Sequence, residues 1–208
     1  MNNCTVLLVT IGHTAAGKTT LSKEICKKLN IIHIAEGQIK REIRGDYSTS
    51  DSLDEKLRDI AYEKAIGIAK TYIDNEKSVL IDASFHKIQR RELVYRMLQE
   101  SSNSAYLVLL YCYCPEISKI EKRISERKMA IKTAETQADS MDIYYHITKT
   151  FDLPSIDEIP DSINAAIIYV NTDTNRIDDI KYTANNDSLT LICEQLCELL
   201  VDLLKEKT

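Results

Sequence analysis

Hydrophobic positions along the chain follow two alternating rhythms. Short, nearly uncharged runs rich in Val, Ile, Leu and Tyr occur at Thr5 to Ile11, Ile31 to Ala35, Ser78 to Asp82, Tyr106 to Cys112 and Ala166 to Asn171, and they read as strands. Continuous apolar runs suit strands covered on both faces, as in a parallel sheet between helical layers. Between them lie stretches of helical period, at Lys18 to Leu29, Leu53 to Asp74, Lys87 to Glu100 and Glu116 to Met129. In a final helix Leu189, Ile192, Leu196, Leu199, Leu200 and Leu203 recur at three- and four-residue steps, with Asp187 or Ser188 as its cap. The pattern predicts an α/β fold with five parallel strands flanked by helices. Gly45 to Ser52 and Lys132 to Pro160 are the least regular stretches and read as flaps over a site.

Composition narrows the class. The chain has 208 residues, with no internal repeat and no Pro/Gly/Ser linker, so it reads as one domain over 1–208. Its 44% hydrophobic and 28% charged residues exclude a wholly disordered or collagen-like chain. A net charge of −5 supplies no global positive field toward DNA, RNA or an anionic membrane; nucleic acid then requires a local basic groove. The longest uncharged apolar run, Ala105 to Cys114, is far short of the roughly 20 residues that cross a bilayer. Met1-Asn2-Asn3 lacks a basic n-region, so the expected compartment is the cytoplasm. There the six cysteines read as small buried hydrophobes, because C-x-C with C-x-x-x-C is not the usual zinc spacing.

The most specific motif follows the first strand. Gly12-His13-Thr14-Ala15-Ala16-Gly17-Lys18-Thr19 fits G-x-x-x-x-G-K-[ST] and stands between a predicted strand and a predicted helix, the context it requires. Its two glycines permit turns that point successive N–H groups inward, and the helix dipole adds positive potential, so the loop can cradle phosphate oxygens. Lys18 supplies a cation for the β and γ phosphates, Thr19 a hydroxyl for Mg²⁺, and Thr20 a contact to the α phosphate. ATP or GTP binding is the expectation.

Two further signals stand beside the loop. Asp82 emerges from Val79-Leu80-Ile81 at the strand end where ligands gather. A carboxylate there can hold Mg²⁺ directly or through water, or accept a hydrogen bond from a substrate hydroxyl; a solvated strand end is the plain alternative. Arg123 and Arg127, four apart on one helix face, can neutralise a transferring phosphoryl group or stack on a base, or form an exposed face paired with Glu121 and Glu126. His33 reads as a core residue, His13 as a residue shaping the loop, and His86 as a candidate facing an acceptor.

Taken together, GHTAAGKT, VLIDASFHKIQRREL (79–93), EKRISERK (121–128) and YVNTDTN (169–175) resemble the small P-loop kinases of the predicted-kinase (AAA_33) group. The chain is also similar to the kinase domain of bacteriophage polynucleotide kinase and, more distantly, to gluconate, shikimate and adenylylsulfate kinases and zeta toxins. The resemblance implies a P-loop NTPase kinase fold with strand order 2-3-1-4-5, a helical lid near 123–150 and an acceptor-binding region near 36–75. It implies ATP and Mg²⁺ as cofactors, Asp82 as a substrate-side or metal-side acid, Arg127 as a lid arginine on the transferring group, and Arg123 beside the adenine. Asn-Lys-x-Asp, the guanine signature, is missing from the sequence.

One departure matters. The family's second strand is followed by Asp-x-x-Arg, the Asp acting as base and the Arg holding a phosphate, whereas this chain reads Ala35-Glu36-Gly37-Gln38-Ile39-Lys40-Arg41. Either Glu36 is the base with Lys40, Arg41 or Arg44 holding the anion, or Asp82 acts alone, or efficient transfer is lost. The resemblance implies an ATP-dependent kinase acting on a hydroxyl of a small molecule or of a nucleotide or nucleic-acid end. A polynucleotide 5′-hydroxyl kinase and a non-catalytic nucleotide-dependent switch are the alternatives.

Overall fold

A computed structural model describes residues 4–44, 51–130, 141–184 and 186–205. Its strands are β1 (Val6–Ile11), β2 (Ile32–Ala35), β3 (Val79–Asp82), β4 (Tyr106–Tyr113), β5 (Ala165–Asn171) and β6 (Arg176–Tyr182). The helices are α1 (Lys18–Leu29), α2 (Glu36–Arg44), α3 (Asp51–Ile73), α4 (Ile88–Glu100), α5 (Ile117–Ala130), α6 (Met141–Lys149) and α7 (Asp187–Lys205). The sheet runs β2-β3-β1-β4-β5-β6, so the expected order 2-3-1-4-5 holds for the five parallel strands.

Pleating splits β1 between two cores. Leu7, Val9 and Ile11 face one layer with Tyr62, Ala65 and Ala69 of α3 and Val94 of α4. Val6 and Leu8 face the other, with Leu21 and Ile25 of α1 and Leu189, Cys193, Leu196 and Leu200 of α7. Period-two alternation on a strand meeting period-3.6 stripes on the helices makes this sandwich. α1 and α7 are where the spacing predicts them.

The sheet has six strands, not five. β6 (Arg-Ile-Asp-Asp-Ile-Lys-Tyr) pairs antiparallel with β5 at the edge, where an exposed face tolerates charge and hides the strand from a search for apolar runs. Tyr169 faces Asp179 and Val170 faces Ile177, so Asp178 is the extra residue of a bulge. That insertion lets Ile177 and Ile180, three apart, pack against the same core.

Two helices escape the periodicity. α2 is a nine-residue, mostly charged helix in which Ile39 is buried and Ile43, four residues on, packs against the same core, a pair too brief to stand out as a stripe. α6 lies inside the stretch read as a flap and buries Tyr144 and Ile147. From Met141 to Pro160 that stretch is anchored, while 131–140, like 45–50, lies outside the described residues. The cap of α7 is neither Asp187 nor Ser188. Asn186 accepts from Leu189 N–H through Oδ1 at 3.1 Å, the reach of an N-cap side chain to its third helical residue.

The anchor of 141–160 is Arg91. Its side chain is 1% exposed and donates from Nε to Glu158 Oε1 at 2.6 Å and from Nη2 to Glu158 Oε2 at 2.8 Å. Nη1 donates to the carbonyls of Phe85 (2.8 Å) and Asp152 (3.0 Å), and Tyr95 Oη donates to Glu158 Oε1 at 2.6 Å. A fork-on-fork pair of this kind is rigid, and removing one partner leaves a buried charge uncompensated. Glu158→Ala is therefore expected to lower unfolding free energy by about 3–5 kcal/mol in urea titrations; a loss below about 1 kcal/mol would contradict the assigned role.

Candidate functional site

Site geometry begins where β1 ends. Gly12 has φ +147°, and a Cβ built there would stand 2.1 Å from the Cys112 carbonyl oxygen, so β4 passes too close for any side chain. Gly12 N–H donates to Ser84 O at 3.0 Å, tying the loop to the chain leaving β3. Ala15 (φ 61°) and Gly17 (φ 84°) take left-handed conformations, the turns that aim backbone N–H groups into one concavity ahead of α1. Lys18 Nζ folds back across the loop, donating to the carbonyls of Gly12 (2.9 Å) and His13 (2.7 Å). Main-chain donors at a helix N-terminus with an ammonium above them fit a polyphosphate.

The loop is held from outside. Arg123 of α5 donates from Nη1 to Ala15 O (3.1 Å) and from Nη2 to Thr172 O (3.0 Å), so its guanidinium locks the loop to the turn after β5. His13 stacks on Phe151, rings 4.3 Å apart and 10° from parallel, with Tyr144 of α6 at 5.4 Å. Burial and then the Lys18 charge push the His13 imidazole down to about 4, so it is neutral at pH 7. Thr14 and Ala16 lie within the turn, Ala16 N–H donating to His13 O at 3.2 Å, while Thr19 and Thr20 open α1 on its exposed side. Arg127 is one turn beyond Arg123 on α5, and its side chain lies outside the described residues, as does that of Arg44.

Asp82 is 5% exposed. Thr10 Oγ1 lies 3.3 Å from its Oδ1, and His33 Nε2 lies 3.4 Å from its Oδ2, long for a hydrogen bond but close for a charge. Thr19 hydrogen-bonds the same carboxylate. Burial alone would raise the Asp82 pKa; His33, Thr19 and the Lys18 charge outweigh it and hold the carboxyl below its usual range. A hydroxyl and an ionised carboxylate are hard oxygen donors, so Thr19 and Asp82 fit Mg²⁺. Among the described residues no group of three His, Cys, Asp or Glu could hold a metal, and the six cysteines are free. His33 is not the satisfied core residue that its strand suggests: two residues before Ala35 on the same face, it points at Asp82.

Glu36 stands beside Asp82 by register. Ala35 pairs with Asp82 across β2 and β3, and Glu36 is the next residue and the first of α2. Its Oε1 is buried with no hydrogen-bond partner. Burial raises its pKa against the lowering effects of Lys40, Arg58 and Arg90, and the Asp82 charge adds to the rise. The two acids are thus pushed in opposite directions.

Sequence reasoning missed the wall facing Glu36. Arg90 of α4 is 4% exposed, its Cζ 4.7 Å from the centre of the Tyr62 ring of α3. Nη2 donates to Asp59 (2.9 Å) and Glu55 (3.0 Å) and Nε to Asp59 (3.3 Å), while Nη1 is buried without a partner. The Tyr62 hydroxyl lies 2.9 Å from Ser84 Oγ and accepts from Phe85 N–H at 3.1 Å, fixing the loop after β3 where Phe85 has φ 41°. His86 Nδ1 is 3.1 Å from Ser84 Oγ, and burial followed by the charge of Arg90 drives its pKa down to about 3. A signal was present: Arg90 and Arg91 fall on the same face as Val94 and Tyr95, an apolar stripe that ordinarily excludes charge.

Among solved structures, an inferred kinase from Chloroflexus aurantiacus superposes with TM-score 0.62 at 17% identity, covering 94% of this chain and 98% of the other. Kti12 of Chaetomium thermophilum, in complex with ADP-AlF3, gives 0.60 at 12% identity, with 93% and 98% covered. The APS kinase of Mycobacterium tuberculosis, in complex with AMPPNP and APS, gives 0.54 at 15% identity, with 95% and 98% covered. These likenesses establish a kinase-like P-loop fold. No curated protein matches the sequence. Residues 7–145 match the AAA_33 family, described as an AAA domain, and since that is well over half of the chain, the protein belongs to this family.

Proposed function

We propose that this protein is an ATP-dependent kinase that transfers the γ-phosphoryl group to a hydroxyl of a small molecule or of a nucleotide. The observation that carries the reading is Glu36 Oε1, a buried carboxylate oxygen without a partner, one residue from the strand position paired with Asp82. Two acids with divergent environments support a division of roles. Asp82, held ionised, suits cation binding with Thr19; Glu36, with its raised pKa, suits taking a proton from the attacking hydroxyl. Mg²⁺ bound there would screen the phosphate charge against the incoming nucleophile.

In-line transfer needs positioning and charge neutralisation more than covalent help from protein. The loop amides and Lys18 would hold the phosphate chain, and Arg123 keeps the loop in shape through Ala15 and Thr172. Arg127, on the same helix, is the proposed arginine for the transferring group. The resemblance to ATP-dependent P-loop kinases supports adenine as the base. The wall formed by α2, α3 and α4 would receive the acceptor. A polynucleotide 5′-hydroxyl kinase is the special case in which that acceptor is a nucleic-acid end.

Three outcomes are expected. Lys18→Ala lowers turnover on the order of 10² to 10³, as for loss of one preorganised electrostatic donor; wild-type turnover would refute the phosphate loop's role. Glu36 must be deprotonated to act, so kcat/KM rises with pH along a limb centred above the ordinary glutamate value of 4.5. Glu36→Gln removes that limb and most of kcat, and a pH profile unchanged in the variant would transfer the role elsewhere. Gly12→Ala abolishes ATP binding, because its methyl would overlap the Cys112 carbonyl; retained affinity in calorimetry would contradict the packing.

A further inference from the structure

We propose that Thr10 and His33 are positioning residues for the divalent cation: they clamp the Asp82 carboxylate from the strands on either side of β3 and set its orientation toward Thr19 before a cation arrives. The inference rests on the cation site proposed at Thr19 and Asp82 and deepens it.

Strand order places β3 between β2 and β1. Ala35 pairs with Asp82 on one side, and on the other the Val9–Ile81 pair puts Thr10 alongside Asp82. Side chains two apart on a strand share a face, so His33 lies on the face of Ala35, Thr10 on that of Leu8 and Asp82 on that of Leu80. Leu8 and Leu80 pack with Leu21 and Ile25 of α1, so this is the side of the sheet that α1 covers, and Thr19 is the second residue of that helix. An acid at the end of the middle strand therefore has a neighbouring strand on either flank and the start of α1 over it.

Each flank supplies a contact to a different oxygen. Thr10 Oγ1 lies 3.3 Å from Asp82 Oδ1, and His33 Nε2 lies 3.4 Å from Asp82 Oδ2. A carboxylate turns easily about its last bond when one oxygen is held; contacts to both, from opposite strands, fix its plane. Thr10 is 0% exposed between Val9 and Ile11, where a valine would have the same shape, yet its hydroxyl is used in both directions. It accepts from Ala83 N–H at 3.2 Å, and its own hydrogen can reach Asp82 Oδ1 or the Ala83 carbonyl oxygen, 3.2 Å away. An ionised acceptor makes the stronger bond, so the hydrogen goes to Asp82. His33 Nε2 is buried and forms no hydrogen bond elsewhere, and Asp82 Oδ2 is the charged oxygen it faces. Each carboxylate oxygen accepts two bonds, so one position on each is left for Thr19 or a cation. Outer partners that orient a ligating carboxylate in this way are typically worth about 10- to 100-fold in metal affinity.

The test titrates the full-length protein with ATP by calorimetry across a series of Mg²⁺ concentrations, comparing wild type with Thr10→Val, Thr10→Ser and His33→Leu. Thr10→Val and His33→Leu are expected to raise the Mg²⁺ concentration at half-maximal tightening of ATP binding about 10-fold or more. Thr10→Ser keeps the hydroxyl and with it the wild-type Mg²⁺ dependence. ATP titrated without Mg²⁺ is the reference for the fold: equal losses of affinity with and without Mg²⁺ assign both residues to structure alone and overturn the inference. Thr10→Val need not fold for the test to decide, because a serine variant with weakened Mg²⁺ dependence, or His33→Leu with the wild-type dependence, overturns the inference by itself. Wild-type dependence in all three variants, beside its loss in Asp82→Asn, overturns the inference and leaves the cation site standing. No Mg²⁺ dependence in the wild type overturns both.

Discussion

β1 lies between β3 and β4 with its C-terminal end open to both, and the close approach of Gly12 to the Cys112 carbonyl is the contact on which the site depends. Because the loop can leave β1 only by brushing past the backbone of β4, its path is set by main-chain packing and by the Gly12 to Ser84 hydrogen bond. A loop defined in this way needs no ligand to shape it. The same three strand ends deliver Lys18, Asp82 and the chain to Arg123 to one side of the sheet, where parallel strands open outward. Arg123, His13 and Phe151 then brace the loop from the opposite flank.

Around that frame, two neighbouring carboxylates stand in opposite electrostatic environments. Asp82 has a hydroxyl, an imidazole and an ammonium close by and stays ionised. Glu36, next to it in register, is buried with one oxygen unpaired, and burial outweighs the three bases near it. Glu36, one residue past the strand end, stands next to Asp82 in register, and besides Lys40 of α2 the bases whose charge acts on it include Arg58 of α3 and Arg90 of α4.

How much of this was legible depended on distance along the chain. The phosphate loop, five strands and α1 are local patterns, and each is where the spacing places it. β6 escaped because an edge strand carries charge, and α2 because Ile39 and Ile43 are its only apolar positions in nine mostly charged residues. The partner of Arg123 is the Ala15 carbonyl, 108 residues away, so spacing could place the arginine on a helix face but not on the loop. His33 and Arg90 were concealed for the opposite reason: each sits in a segment whose apolar neighbours imply a plain core, and only tertiary packing brings them to Asp82 and Glu36.

Everything proposed presupposes that the turn after β1 grips a nucleotide with its divalent cation on Thr19 and Asp82. Calorimetric titration of the protein with ATP, with and without Mg²⁺, measures this most directly. The account predicts one site per chain, tighter when Mg²⁺ is present, with the Mg²⁺ enhancement lost in Asp82→Asn. No measurable heat of ATP binding, or binding whose Mg²⁺ dependence is unchanged by Asp82→Asn, would contradict it.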